Sequence, residues 1–272
     1  MRILKSLLAV LFITGIFSVG VYYYSKNQIK KYAVKLPTEG EGLHLRKFTA
    51  PEVDATPILM YHHIRANPDP NNKLEASLDV LPKNFEKQIS YLAKNKYQTE
   101  RLTDLFSSQD KSTGPRVIIT FDDGYKDVIT EAYPILKRYG YTATVFPIVD
   151  YVGRDFYLTW SDLWILKTAG WEIGSHTLTH ADLTKIPYTQ AKEEMNQSKK
   201  ILEYQMKSSI EVLSYPAGRY NSDIIGLAKE AGYRRAVTTV YGKLNYSDED
   251  LGLKRIRISG SDQLPNFINK LK

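Results

Sequence analysis

The segment LKRYGYTATVF, Leu136 to Phe146, passes from one kind of structure to another within a few residues. Helix-forming residues with two cations come first, a glycine follows, and an aromatic then leads a β-rich run. Glycine suits the left-handed residue just past a helix end, and Lys or Arg in the last turn complements the negative helix terminus. The segment therefore reads as helix, cap, strand. The same order recurs in LKTAGWEIGSH from Leu166 and LAKEAGYRRAVTTV from Leu227. A looser copy, LAKNKYQTE from Leu92, has Asn95 or Lys96 where the glycine would stand. Helix leading repeatedly into strand over short connections implies βα units and a parallel sheet.

On this pattern strands are expected at 57–64, 116–121, 142–148, 171–175, 211–216, 234–240 and 254–259. Helices are expected near 83–95, 127–139, 161–169, 188–206, 222–231 and 262–271. This α/β succession suits a (β/α) barrel, incomplete if fewer than eight strands close it, or a doubly wound sheet.

A chain of 272 residues with 43% hydrophobic and 25% charged residues has ordinary globular composition and room for one large core. It contains no cysteine, so disulfides, thiolate metal sites and catalytic thiols are excluded, and any metal site must draw on His, Asp or Glu. The net charge of +7 is concentrated at the N-terminus. Residues 1–35 carry six Lys or Arg and no acid, leaving 31 basic against 30 acidic residues. A nucleic-acid partner is not expected of so balanced a domain.

Leu7 to Tyr24 is 18 residues without a charge and ends in three tyrosines, which suits a membrane interface. No convincing small-x-small cleavage site precedes YYYSKNQIKK, which favours an uncleaved anchor over a signal peptide. The expected organisation is a tip and single transmembrane helix over 1–31, a stalk over 32–55 and a catalytic domain over 56–272. His44 falls in the stalk and is given no role. Lys26, Lys30 and Lys31 outnumber Arg2 and Lys5, so charge alone does not place the domain outside the cell.

In parallel α/β folds, functional residues gather at the C-terminal ends of strands. That rule brings together MYHHI with His62, TFDDG with Asp122 and Asp123, GSHTLTH with His176 and His180, and SYPAG with Pro216 and Gly218. Four of the five histidines lie in these stretches. A four-residue spacing puts His176 and His180 on one face if that loop turns helical, and a carboxylate would complete a His₂Asp metal site. Nitrogen and oxygen donors suit Zn²⁺, and also Co²⁺, Ni²⁺ or Fe²⁺. One aspartate would then bind the metal and its neighbour serve as general base. Neighbouring residues of a regular strand point to opposite faces, so Gly124 is expected to end the strand there.

At these residues the sequence resembles the polysaccharide deacetylase family, carbohydrate esterase family four, also called the NodB homology domain. TFDDG matches its first motif and SHTLTH its second, and the likeness spans roughly Pro57 to Ser259. The resemblance implies a distorted (β/α) barrel with a divalent metal, zinc being favoured, held by Asp123, His176 and His180, and with Asp122 as base. It implies hydrolysis of an acetyl group on a sugar polymer, with the backbone of Ala217 facing the oxyanion. Two departures stand out: Ser214 occupies the place of an arginine in the third motif, and no histidine follows His180 to act as acid. MYHHI resembles the Y-H-x-[IV] pattern of a branch that includes poly-N-acetylglucosamine deacetylases, which implies His62, not His63, as the acid. Tyr125, Trp160, Tyr220 and Asn221 are candidate sugar contacts beside Pro216 and Gly218, with core packing the competing reading of Trp160.

The expectation is thus a monomeric, membrane-anchored, extracellular deacetylase of N-acetylglucosamine polymers. The alternatives are a peptidoglycan- or chitin-type deacetylase, an acetyl-xylan esterase, or an inactive glycan-binding module.

Overall fold

The computed structural model describes residues 56–69, 71–105, 114–244 and 250–272. The expected anchor and stalk lie outside the described residues. Among the described residues, no helix is long and apolar enough to cross a membrane.

The strands run in chain order as β1 Ile58–Tyr61, β2 His63–Ile64, β3 Asp79–Val80, β4 Gln98–Thr99 and β5 Arg116–Phe121. They continue with β6 Thr144–Val145, β7 Glu172–Ile173, β8 Val212–Ser214, β9 Arg235–Tyr241 and β10 Leu253–Arg257. The helices are α1 Lys73–Leu78, α2 Pro82–Lys94, α3 Tyr133–Arg138, α4 Trp160–Thr168, α5 Tyr188–Met206, α6 Ser222–Glu230 and α7 Leu264–Leu271. A π-helical turn, Val128–Ala132, leads into α3.

The main sheet has the order β7-β6-β5-β1-β10-β9-β8, and each pair in it is parallel. Beyond β7, Ser175 donates its N–H to Val212 and accepts from Ser214, both at 2.9 Å. That bridge brings β8 round to β7 and all but closes a barrel from fewer than eight strands. β4 pairs only with the first residues of β5, off this ring, and β2 with β3 forms a separate small sheet.

Both faces of the barrel strands are covered, which is why they read as apolar runs rather than as alternating ones. Ile58, Ile118, Phe146, Val212, Val237 and Leu253 pack together inside the barrel. Leu59, Tyr61, Ile119, Phe121 and Ile256 belong to the larger cluster between strands and helices. Each fully buried side chain of this kind contributes about 1.5–3 kcal/mol of transfer free energy.

The repeated cap behaves as the sequence predicts. Gly140, Gly170 and Gly232 have φ of 69°, 88° and 81°, and Lys96 adopts φ 60° in the copy that lacks glycine. At their start, α4 has a reciprocal capping box between Thr159 and Asp162, and α6 is capped by Asn221.

Candidate active site

Strand β5 ends at Phe121, and the two aspartates follow it at the barrel mouth. Asp122 is still tied to the sheet, its N–H donating to Tyr61 at 3.0 Å. Asp123 leaves the extended conformation with φ 68°, in the left-handed region that non-glycine residues seldom occupy. This turn, rather than Gly124 alone, brings the second carboxylate into the same cavity as the first.

Asp123 Oδ1 lies 3.3 Å from His176 Nε2 and 3.7 Å from His180 Nε2. One donor atom from each of the three residues falls within 4.8 Å of the others. These are the Nε2 atoms and carboxylate oxygen of a His₂Asp set, and the donors fit a borderline divalent cation with coordination positions to spare. His176 Nδ1 donates to the Ser214 carbonyl at 2.8 Å, which fixes the ring with Nε2 turned toward Asp123.

The loop carrying the histidines is not helical, contrary to the helical spacing invoked from sequence. Thr177 and His180 have φ of 65° and 66°, and the two rings meet edge to face at 4.7 Å. Glu194 of α5 imposes this turn. Its buried carboxylate accepts from Leu178 N at 3.0 Å, Thr179 N at 2.9 Å and Thr179 Oγ1 at 2.6 Å. Bonds to an external carboxylate replace the internal ladder that a helix would require.

Asp122 lies in a different setting. Arg255 of β10, fully buried, donates Nη1 to Asp122 Oδ1 at 2.8 Å and Nη2 to Oδ2 at 2.6 Å. The same guanidinium reaches Thr120 Oγ1, Ser214 Oγ and, through Nε, the Thr238 carbonyl. The arginine missing at Ser214 is thereby supplied from another strand. Burial raises the Asp122 pKa, but the charge and hydrogen bonds of Arg255 outweigh it and hold the carboxyl well below the usual range. Asp123 is likewise lowered: burial opposes its ionisation, and His176 more than compensates. Burial also opposes the charged form of His176, yet Asp123 and Asp122 raise its pKa overall.

The two histidines of MYHHI part company. His62 feels the charges of Asp122 and Asp123, and burial pushes its pKa down to about 4, so it is neutral at pH 7. His63 turns away to Asp127, with Nδ1 at 2.6 Å from Oδ2, and stacks on Tyr125 at 3.5 Å. Tyr125 stacks in turn on Tyr157. Burial and the Asp123 charge raise the pKa of Tyr125, which hydrogen-bonds that carboxylate. Tyr125 thus buttresses the site from beneath the Asp123 turn.

In the third motif, Ala217 takes φ 52° and ψ 16°, a left-handed residue inside a short 3-10 turn. Gly218 is required beside it: at φ 68°, a Cβ would lie 2.1 Å from Thr239 Oγ1 and 2.4 Å from Thr239 N. Pro216 is buried at the start of the same turn. The remaining candidates have local tasks. Tyr220 stacks on buried Tyr215 at 5.2 Å, Asn221 Oδ1 accepts from Ile224 N as the α6 cap, and Trp160 packs against the main core. The side-chain oxygen of Asn221 is therefore committed to the helix rather than free for a sugar.

The sequence pattern of the polysaccharide deacetylase family matches residues 109–236. YxkH of Bacillus subtilis strain 168, named after the same family, is 37% identical over 75% of this chain and 71% of its own length. The poly-beta-1,6-N-acetyl-D-glucosamine N-deacetylase of Staphylococcus aureus strain MRSA252 is 28% identical over 74% of this chain and 78% of its own. The structure of the Streptococcus pyogenes deacetylase PplD in complex with acetate is 30% identical, with a TM-score of 0.74 over 80% of this chain and 98% of that one.

Proposed function

From the premise that this chain belongs to the polysaccharide deacetylase family, hydrolases of N-acetyl amide bonds, we propose that it removes acetyl groups from N-acetylglucosamine units of a surface or extracellular polysaccharide. The observation that carries the reading is the pairing of one arginine-clamped carboxylate with a separate Asp–His–His donor set in a single cavity.

In this reading Asp123, His176 and His180 hold a divalent cation, with zinc favoured by the donor set. When bound, such an ion supplies Lewis-acid polarisation of the acetyl carbonyl and lowers the pKa of water. Asp122, kept ionised by Arg255, takes a proton from the attacking water. His62, neutral at rest, carries that proton on to the leaving nitrogen, so that one proton is taken and one delivered per turnover. The N–H of Ala217 donates to the developing oxyanion. A polymer substrate outside the cell, together with the uncharged stretch Leu7 to Tyr24, supports an anchored enzyme with its domain on the outer side.

The test is acetate release by the full chain from poly-β-1,6-N-acetylglucosamine, repeated with His62→Ala and His63→Ala. Turnover by the parent chain, with His62→Ala about 10²-fold slower and His63→Ala much less affected, is the expected result. No acetate from the polymer would remove the substrate reading, and equal small effects would remove His62 as the acid.

A further inference from the structure

Alternation along β10 determines where Arg257 points. Leu253 belongs to the inner cluster and Arg255 reaches Thr120, Asp122 and Ser214 inside the barrel. Arg257 lies two residues on and so shares their face. The register sets Arg257 beside Met60, and Met60 beside Thr120. Arg255 begins one layer lower, yet its guanidinium climbs to Thr120 and Asp122. Arg257 therefore stands one layer nearer the mouth than Arg255, on the side where His62 and Asp122 follow Met60 and Thr120. Its charge acts on His62, and Asp122 and Asp123 act on it in return.

Among the described residues, every other arginine has a carboxylate or an aromatic ring against its guanidinium. Arg257 has neither, although it is half-buried and burial pulls its pKa down. A cation stripped of part of its water without a partner is costly, and function is the usual reason to keep one. The local charges point the same way. Asp122 and Asp123 are balanced by Arg255 and Arg257, so a divalent cation at the donor set leaves the mouth positive and receptive to an anion.

We propose that Arg257 binds a carboxylate at the mouth of the site, so that the enzyme favours acetylated glycans carrying an acid group on the sugar beside the scissile acetamide. This rests on the deacetylase reading above and narrows its substrate class. Released acetate offers the same chemistry, and the test separates the two sources.

The full chain is compared with Arg257→Gln and Arg257→Lys on two N-acetylglucosamine oligomers of equal length. One is neutral, and the other bears carboxylates on alternate sugars. Acetate is added as product inhibitor, and melting curves report folding. If the carboxylate belongs to the polymer, the acidic-to-neutral ratio of kcat/KM falls about tenfold or more in Arg257→Gln. It falls less in Arg257→Lys, which keeps the charge and loses the fork. If the carboxylate is acetate, its Ki rises about tenfold while the ratio holds. Ratio and Ki both unchanged would overturn the proposal, as would an equal loss on both oligomers with Ki unchanged, the mark of a residue that only shapes the site. Calorimetric titration with acetate and both oligomers reads the same differences without turnover. Failure of the deacetylase reading is distinct: the parent chain then releases acetate from neither oligomer.

Discussion

Asp122 and Asp123 are neighbours in the chain and occupy one cavity, yet their surroundings have little in common. Asp122 continues the line of β5, points into the barrel and has both oxygens taken by Arg255. Asp123 stands on a left-handed residue, faces two imidazoles, and has Tyr125 against it. The difference lies in the backbone: a single positive φ converts an outward-facing strand position into an inward-facing one. It leaves the first carboxylate paired with a fixed cation and the second facing two imidazoles whose nitrogens can share a metal with it. One carboxylate is prepared to hold charge, the other to give up a lone pair.

The largest effect is expected from removing the cation. Arg255→Met leaves Asp122 buried and unpaired, which should cost about 3–5 kcal/mol of stability, measured by denaturant unfolding. The unpaired carboxyl should also titrate at higher pH, lowering neutral-pH turnover by about 10²-fold. The double variant Asp122→Asn/Arg255→Met should recover most of the stability and none of the turnover. Additive losses would show that Asp122 and Arg255 do not act as a unit.

Glu194→Gln acts on the other half of the comparison. It weakens the bonds that hold Leu178 and Thr179 in their turn, and we expect divalent-metal affinity to fall about tenfold with about 1–3 kcal/mol of stability lost. Undiminished metal affinity would mean that the histidine loop keeps its shape without α5.

A carboxylate outside the cavity supplies the baseline. Asp162 accepts from Thr159 N and from Lys126 Nζ, the latter at 2.6 Å, in the cap of α4. Burial raises its pKa, but these partners outweigh burial and lower it. A lowered folded-state pKa gives stability that is present above the unfolded value of about 4 and is lost as pH falls through the folded one. Asp162→Asn should therefore cost about 1 kcal/mol at pH 7 and progressively less in acid, with turnover per folded molecule and metal content unchanged. A change in metal content would show that the two regions are coupled.

Much of this was legible in the chain. The glycine caps, the parallel strands and the strand-end clustering of His62, Asp122, Asp123, His176 and His180 followed from local pattern and short-range sterics. Arg255 was not, because KRIRIS reads as a strand with ordinary surface cations until both of its faces are known to be covered. The available signal was a buried-type alternation with Arg255 and Arg257 on the same face as Leu253. The shape of the HTLTH turn was not legible because it depends on Glu194, fourteen residues beyond His180 and invisible to local spacing. The capping role of Asn221 was legible in the same residue, since an asparagine before SDII is a helix N-cap signal.

The most direct measurement of the division between the two aspartates is metal content beside acetate release in Asp122→Asn and Asp123→Asn. Asp122→Asn should keep one divalent ion per chain while turnover falls about 10²–10⁴-fold, and Asp123→Asn should lose both. A full metal complement in Asp123→Asn, or loss of the ion in a folded Asp122→Asn, would contradict the assignment.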